Sequence, residues 1–205
     1  MGLVSNDMDC LELTLNKFTM RSAFEKAGVP VPKYYLVRSF SELEKIDIQY
    51  PAIIKPVDSG GSQGVNKVHD LQELKDAYAY AENRSRTHTV IVEEFIDGRE
   101  FSVEYLTCNG VHYNLQITDK VTSGPPHFVE MQHHQPADIS DEVATRIRSM
   151  VEKALSVLKI TNSPSHTEIK LNSKGELYII EVGPRMGGDY ITSDLVRLST
   201  GYDMV

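Results

Sequence analysis

Two turn sequences place the strongest constraint on the fold. Asn109-Gly110 lies between two segments of alternating apolar residues, and this dipeptide is typical of a two-residue β-hairpin turn. Asn172-Ser-Lys-Gly175 lies between two further segments of the same kind. Hairpins connect antiparallel strands, whereas parallel strands need a long crossover connection. The sequence therefore predicts an α+β protein with antiparallel sheets.

Helix signals accompany both groups of strands. Apolar residues recur with helical spacing between Asn16, which can cap a helix, and Gly28, which ends it. Asp70 and Ser140 precede two further predicted helices and are suitable N-caps. We expect two lobes that divide just after Ile96, each with strands and helices.

The composition excludes several classes of protein. Lys and Arg number 21 and Asp and Glu number 29, which gives a net charge of −8. An acidic chain gains little from contacts with a phosphate backbone, so nucleic acid is not an expected partner. No apolar run is long enough to cross a membrane, and the first residues lack the features of a signal peptide. Two cysteines are too few for a disulfide scaffold, so we expect a cytoplasmic protein.

A glycine-rich loop follows a predicted strand that contains a lysine. The strand is Pro51-Ala-Ile-Ile-Lys-Pro56, and the loop is Asp58-Ser-Gly-Gly-Ser-Gln-Gly64. The uncovered backbone N–H groups of such a loop, with Lys55 nearby, suit phosphate oxygens. The loop is not a Walker A motif, because no Lys-Ser/Thr follows it, and not a kinase loop, because the lysine precedes it. A flexible hairpin turn is the alternative.

A pair of acids ends a later apolar strand. Glu93 and Glu94 are adjacent, and the alternation of side chains directs one inward and the other outward. The inward carboxylate is a candidate acceptor for the amino group of adenine. Glu100, a few residues further, is a candidate for ribose hydroxyls. An edge strand with two solvated acids is the alternative.

Two more carboxylates lie on the arms of the second hairpin. With a small offset in the turn, Glu168 lies opposite Glu181, where like charges repel unless a cation lies between them. Oxygen ligands without thiols favour Mg²⁺. A glycosidase pair and two acids on opposite faces are the alternatives. Arg185 is a candidate for a bidentate phosphoryl contact, and His166 and Lys120 are candidates to reach the same site.

Taken in order, these segments resemble the ATP-grasp superfamily, which includes biotin carboxylase, carbamoyl phosphate synthetase, D-alanine–D-alanine ligase and the L-amino-acid ligases. The resemblance covers residues 10–205, and the segment Ile117–Glu130 is closest to the amino-acid-ligase-like branch. It implies the ATP-grasp fold, with two lobes, an antiparallel sheet in each, and nucleotide in the cleft between them. The motifs that carry it are Asn16-Lys17, Gly28-Val-Pro-Val-Pro32, Tyr50–Pro56, Asp58–Gly64, Val92–Ile96, Gly98–Glu100, Glu168 and Ile180–Arg185.

The resemblance also implies a role for each candidate residue. Lys17 and Lys55 would hold the phosphates of ATP. Glu168 and Glu181 would bind Mg²⁺ or Mn²⁺, and Arg185 would be catalytic by steadying the transferred phosphoryl group. The other nucleotide-binding residues that it implies are Ser59, Gly60, Gly61, Ser62, Gln63, Gly64, Glu93, Glu94, Phe95, Ile96 and Glu100.

The implied activity is that of an ATP-dependent carbon–nitrogen ligase, or of its ATP-binding core. Such an enzyme converts a carboxylate into an acylphosphate and joins it to an amine, so its partners would be small molecules. A homo-oligomer is compatible with the sequence. The alternative is a nucleotide-binding module of the same fold without ligase activity.

Two departures from the family pattern bear on this expectation. Gly183 stands where many members carry Asn, which leaves one metal ligand in question. Few residues precede Lys17, where members carry a further α/β domain, so we expect part of a longer ligase that need not be active alone. The expected divisions are a leader over residues 1–15, a smaller lobe with the phosphate lid over 16–96, and a larger lobe with the metal-binding hairpin over 97–205.

Overall fold

The computed structural model describes residues 5–124 and 130–204. In this part of the chain, nine strands form two antiparallel sheets. The strands are β1 (Tyr34–Val37), β2 (Ala52–Pro56), β3 (Asn66–Val68), β4 (Val90–Glu94), β5 (Arg99–Cys108), β6 (Val111–Thr122), β7 (Glu130–His134), β8 (Ser163–Leu171) and β9 (Leu177–Gly183). The α-helices are α1 (Met8–Thr14), α2 (Lys17–Lys26), α3 (Leu71–Arg84), α4 (Asp141–Val157) and α5 (Val196–Thr200). A 3₁₀ helix spans Phe40–Lys45 and a π-helical turn spans Ile191–Leu195.

The smaller sheet has the strand order β1-β4-β2-β3. On one face, Ile54 and Val92 belong to a core that α3 and the 3₁₀ helix cover. Because successive side chains in a strand point to opposite faces, Lys55 and Glu93 lie on the other face. The charged groups of the two central strands therefore point away from the core and into a cleft.

The larger sheet has the strand order β7-β6-β5-β8-β9. The predicted hairpin at Asn109-Gly110 joins β5 to β6, and both of its turn residues have positive φ, as a type I′ turn requires. Phe101 and Ile169 pack in the core beneath this sheet together with Ile147 of α4. The sequence-based expectation of two antiparallel sheets with helices is therefore confirmed.

The caps predicted for three helices are present. The Asn16 side chain accepts hydrogen bonds from the backbone N–H groups of Phe18 and Thr19. The side chains of Asp70 and Ser140 cap α3 and α4 in the same way. These caps satisfy donors that a helix leaves unpaired in its first turn.

The packing of α2 differs from the expected division of the chain. Met20 and Phe24 belong to the core of the larger sheet, although the smaller lobe was expected to include this helix. The core face of the smaller sheet is already covered, so the apolar side of α2 packs against the other core. Part of the expected leader forms α1, whose Cys10 is buried in the same core.

Two further observations concern the limits of the described chain. Residues 125–129, which belong to the segment Ile117–Glu130 of the resemblance, lie outside the described residues, as do residues 1–4 and 205. Among the helices that are described, none has the length and apolar character needed to cross a membrane.

Candidate functional site

A cavity of about 420 Å³ lies between the two sheets. Its walls are the charged face of the smaller sheet, the glycine-rich loop between β2 and β3, and the β8–β9 hairpin. It brings together most of the residues predicted from the sequence. Those that line it are Lys17, Lys55, Ser59, Gly60, Gly61, Ser62, Glu93, Glu94, Phe95, Ile96, Glu100, Glu168, Glu181 and Arg185.

Two predicted loop residues, Gln63 and Gly64, are not part of the cavity lining. Gly64 is buried with φ of 77°, and an added Cβ would lie 2.7 Å from Cγ of Pro56. Its absent side chain lets the loop fold back over β2. The loop is fastened on its other side, where the Ser59 hydroxyl donates to the carbonyl oxygen of Arg84.

One carboxylate on the smaller sheet holds two cations. Oε2 of Glu93 lies 2.7 Å from Nζ of Lys55, and Oε1 accepts a hydrogen bond of 2.9 Å from Nε of Arg21. Burial alone would raise the pKa of Glu93, but the two cations outweigh it and lower that pKa. Burial lowers the pKa of Lys55, and the positive charges of Arg21 and Lys17 lower it further against the attraction of Glu93. Two buried cations, Arg21 and Lys55, thus share one buried acid.

Lys17 connects the loop to the opposite wall. Its Nζ donates to the carbonyl oxygen of Ser59 at 2.5 Å and lies 3.5 Å from Oε1 of Glu181. Its backbone N–H donates to the carbonyl oxygen of Val57 at 2.8 Å, next to the loop. The first residue of α2 is therefore positioned by contacts with both sides of the cleft.

The two acids of the hairpin lie side by side. Glu168 pairs directly with Glu181, as predicted, but the offset comes from a β-bulge between Glu168 and Ile169 and not from the turn, whose register would place Ile180 opposite Glu168. Oε1 of Glu168 lies 3.0 Å from Nζ of Lys120, which also contacts Glu100 at 3.3 Å and Glu130 at 2.7 Å. Burial alone would lower the pKa of Lys120, and these carboxylates outweigh it and raise that pKa. Lys120 therefore stays charged and balances the acids around it.

His166 lies on the same face of β8 as Glu168. Its Nδ1 is 2.6 Å from Oε1 of the fully buried Glu104, and its Nε2 is 3.7 Å from Oε1 of Glu168. Burial alone would lower the pKa of His166, but the hydrogen bonds to these carboxylates raise it to about 9. Gly187 lies over this pair, since an added Cβ would be 2.8 Å from Nδ1 of His166. The larger sheet thus presents an imidazolium beside the carboxylate pair.

An acidic cluster lies at another part of the cavity. Glu130 and Asp189 line it, and ligand atoms of these two residues and His133 lie within 4.8 Å of one another. Nε2 of His133 is 3.1 Å from Oε2 of Glu130. Burial lowers the pKa of His133 despite this contact, which favours the neutral imidazole. The cluster therefore has a net negative charge and is suited to a cation.

The connection between β4 and β5, which joins the two sheets, contains an aromatic ring that contacts two lysines. Nζ of Lys67 lies 3.7 Å from the ring centroid of Phe95, and Nζ of Lys170 lies 5.2 Å from it. Lys67 is on β3 and Lys170 is on β8, so the ring contacts cations from both sheets. Such contacts stabilise the junction by about 1 kcal/mol each at partly exposed positions.

Sequence reasoning missed several residues of this site. Arg21 lies four residues after Lys17, so helical spacing places it on the same side of α2. Glu104 lies four residues after Glu100, so strand alternation places both on one face of β5. His133 lies on β7, which pairs with β6, and nothing in its local sequence indicates a strand that reaches the cavity.

A model of the ATP-grasp domain family matches residues 48–194, which is well over half of the chain. The chain belongs to this family. The resemblance and the ATP-grasp fold expected from the ordered motifs are thereby confirmed, with the cleft between two antiparallel sheets that the fold implies.

Characterised relatives of this ATP-grasp chain are ligases. An alanine–anticapsin ligase of Bacillus subtilis is 27% identical over 92% of the chain and 44% of that ligase. A D-alanine–D-alanine ligase of Acetivibrio thermocellus is 29% identical over 84% of the chain and 50% of that ligase. The crystal structure of an L-amino acid ligase from Bacillus licheniformis matches with a TM-score of 0.87 and 32% identity, over 98% of this chain and 48% of that one. The chain spans about half the length of the curated relatives it matches.

Proposed function

We propose that this chain is the ATP-binding core of a ligase that joins a carboxylate to an amine. The observation that carries the proposal is that lysines beside a glycine-rich loop and a pair of carboxylates meet in one cavity. Lys17 and Lys55 lie beside the glycine-rich loop, and the paired acids Glu168 and Glu181 lie on the opposite wall. Cations suit the phosphates of a nucleotide, and paired carboxylates suit the divalent cation that accompanies it.

The end of β4 and the first residues of the connection to β5 offer a place for the adenine ring. Glu93, Glu94, Phe95 and Ile96 line the cavity in succession. A carboxylate has about four acceptor sites, and Glu93 uses three of them for Arg21 and Lys55. One acceptor therefore remains for the amino group of adenine. Glu100, two residues after Gly98, lines the same cavity and would accept hydrogen bonds from the ribose hydroxyls.

The carboxylates fit a divalent cation by their chemistry. Mg²⁺ prefers oxygen ligands and keeps several waters, so two protein carboxylates are sufficient when phosphate oxygens complete the coordination. Glu168 and Glu181 would hold it, with Mn²⁺ as the other candidate. Gly183 lines the cavity but has no side-chain ligand to add. A bound cation would neutralise phosphate charge during transfer.

The proposed reaction has two steps. A substrate carboxylate oxygen attacks the terminal phosphorus of ATP, so an O–P bond forms and the bond to ADP breaks. The amine then attacks the acyl carbon, phosphate leaves, and the amine loses a proton. Arg185 and the two lysines neutralise charge in the first step, and residues 59–64 exclude water from the acylphosphate.

The acidic cluster indicates the class of substrate. Glu130 and Asp189 favour a ligand with a positive charge, and the ammonium group of an amino acid has one. The relatives named for alanine and L-amino acids support this substrate class. We also propose the cytoplasm as the compartment, because Cys10 and Cys108 are both free thiols.

Calorimetric titration of MgADP and Mg-AMPPNP tests the nucleotide site. We expect the wild-type chain to bind both and a Lys55→Met variant to bind them at least about tenfold more weakly, since a charge-assisted contact is lost. Lys174→Met is the matched control, because Lys174 is exposed on the β8–β9 turn. Equal binding by the wild type and Lys55→Met would contradict the placement of the phosphates.

The alternative, a nucleotide-binding module without ligase activity, predicts binding but no turnover. Retention of Glu168, Glu181 and Arg185 in the cavity favours the ligase. Phosphate release from ATP should rise when an amino acid pair is added to the longest form of the protein that contains this chain. Nucleotide binding without such a rise, across a broad panel of acids and amines, would support the module.

A further inference from the structure

Arg21 is fully buried and has no role in the reaction proposed above. It lies on α2, one helical turn after Lys17. Its Nε donates to Oε1 of Glu93 at 2.9 Å, and its Nη2 lies 3.4 Å from Oε2 of Glu93. The same Nη2 donates to the carbonyl oxygen of Ile180 at 2.5 Å. Glu93 belongs to the smaller sheet and Ile180 to the larger one, so a single guanidinium joins both walls of the cavity.

Stability alone does not account for this arginine. Nη1 of Arg21 is buried and has no hydrogen-bond partner among the described residues. A buried donor without a partner costs stability, and a buried ion pair is often no better for stability than apolar side chains of similar volume. The unpaired donor of a fully buried guanidinium therefore points to a role for Arg21 beyond stability.

The Arg21 guanidinium changes how far the Glu93 carboxylate neutralises the charge of Lys55, and so how strongly Lys55 can attract an anionic ligand. With Arg21 in place, the charge of Glu93 is shared between two cations, and the group of three has a net charge of +1. Without Arg21, the carboxylate would pair with Lys55 alone, and that pair would be neutral. The terminal torsion of a glutamate is broad, so the carboxylate would also be free to rotate.

We infer that Arg21 is a positioning residue for nucleotide binding, which holds the Glu93 carboxylate so that Lys55 and the one acceptor site that Glu93 does not use face the cavity. The inference rests on the proposed function, because it assigns Lys55 to phosphate and Glu93 to adenine. Arg21 would act from outside the cavity, since it does not line it.

Calorimetry on the full chain with MgADP tests the inference. We expect Arg21→Met to weaken binding at least about tenfold, as for the loss of one charge-assisted contact. Arg21→Lys keeps the charge but not the two-pronged contact, so it should recover part of the affinity. Arg146→Met is the matched control, because Arg146 is exposed and contacts the carbonyl oxygen of Gly175 outside the cavity. Circular dichroism confirms that each variant is folded.

A double-mutant cycle separates positioning from a general structural role. If Arg21 acts through Glu93, then Arg21→Met should cause little further loss of affinity when Glu93→Gln is already present. If the losses of MgADP affinity in the two single variants instead add up in the double variant, Arg21 does not act through Glu93. Unchanged MgADP binding by a folded Arg21→Met variant would overturn this inference but not the proposed function. If Arg21→Met does not fold, unchanged MgADP binding by Arg21→Lys would overturn the inference in its place. Absence of binding by the wild type would instead contradict the proposed function.

Discussion

Two substitutions in the same buried group of charges should have very different effects on stability. The Glu93 carboxylate lies 2.7 Å from Nζ of Lys55 and 2.9 Å from Nε of Arg21, and all three side chains are almost fully buried. Lys55→Met removes one of two cations and leaves a neutral pair. Glu93→Gln removes the single anion of this group and leaves two buried cations close together. The two variants therefore differ in how many buried charges lack a partner.

The expected magnitudes follow from that count. Removing one member of a buried pair and leaving its partner uncompensated costs about 3–5 kcal/mol, so Glu93→Gln should lower the free energy of unfolding by that amount. Exchanging a buried charge for an apolar side chain of similar volume is often neutral or stabilising, so Lys55→Met should stay within about 1 kcal/mol of the wild type or exceed it. Urea denaturation without nucleotide measures both values. A loss of several kcal/mol in Lys55→Met with none in Glu93→Gln would refute the reasoning.

The pH dependence of stability provides a second test of the same group. The pKa of Glu93 is lowered, so its contribution is present above its ordinary value of 4.5 and is lost as the pH falls through the lowered pKa. The pKa of Lys55 is also lowered, so wild-type stability should rise with pH between that lowered pKa and the ordinary value of 10.5. Lys55→Met should lack this alkaline rise. Unfolding curves at a series of pH values measure both trends.

Two further predictions concern backbone conformation and the metal. Gly98→Ala should destabilise the chain by at least about 2 kcal/mol in urea, because φ is 116° and an added Cβ would lie 2.1 Å from the carbonyl oxygen of Leu171. Gly110→Ala, where an added Cβ meets nothing within 4 Å, should cost less, and equal losses would count against the steric argument. Glu181→Gln should reduce the gain in ADP affinity on adding Mg²⁺ by at least about tenfold, as losses of even supporting groups around metals do. Calorimetry with Mg²⁺ and with EDTA measures that gain, and an unchanged gain would remove this residue from the metal site.

Local signals made much of the larger sheet predictable. Although a β-bulge further along brings Glu181 opposite Glu168, the turn at Asn109-Gly110 determines the register of β5 against β6 as far as Tyr105, and the second turn determines that of β8 against β9 as far as Ile169. Both follow from a few adjacent residues, since a short turn leaves little freedom in strand pairing. The same locality made the capped helices predictable from Asn16 and Ser140.

Contacts between distant parts of the chain were not predictable in this way. Arg21 interrupts the apolar face of its helix, and its partner Glu93 lies 72 residues away. Four of the five residues of strand β7 are polar, and the strand pairs with the edge of β6. The helix α1 is short, and Cys10 is its one buried residue. For Arg21 the decisive partner is remote in sequence, and for β7 and α1 the residues themselves carry only a weak periodic signal, so a local pattern does not contain the contact.

The separation of the two apolar cores has a consequence for how the molecule opens. Among the described residues, the core of the smaller sheet and that of the larger sheet have no member in common, and charged groups such as Arg21 and Lys17 connect the two sheets. Slowly exchanging amides should therefore fall into two cooperative units, one for each sheet, with different opening free energies. Because a bound nucleotide would contact both walls, it should slow amide exchange in the two units together.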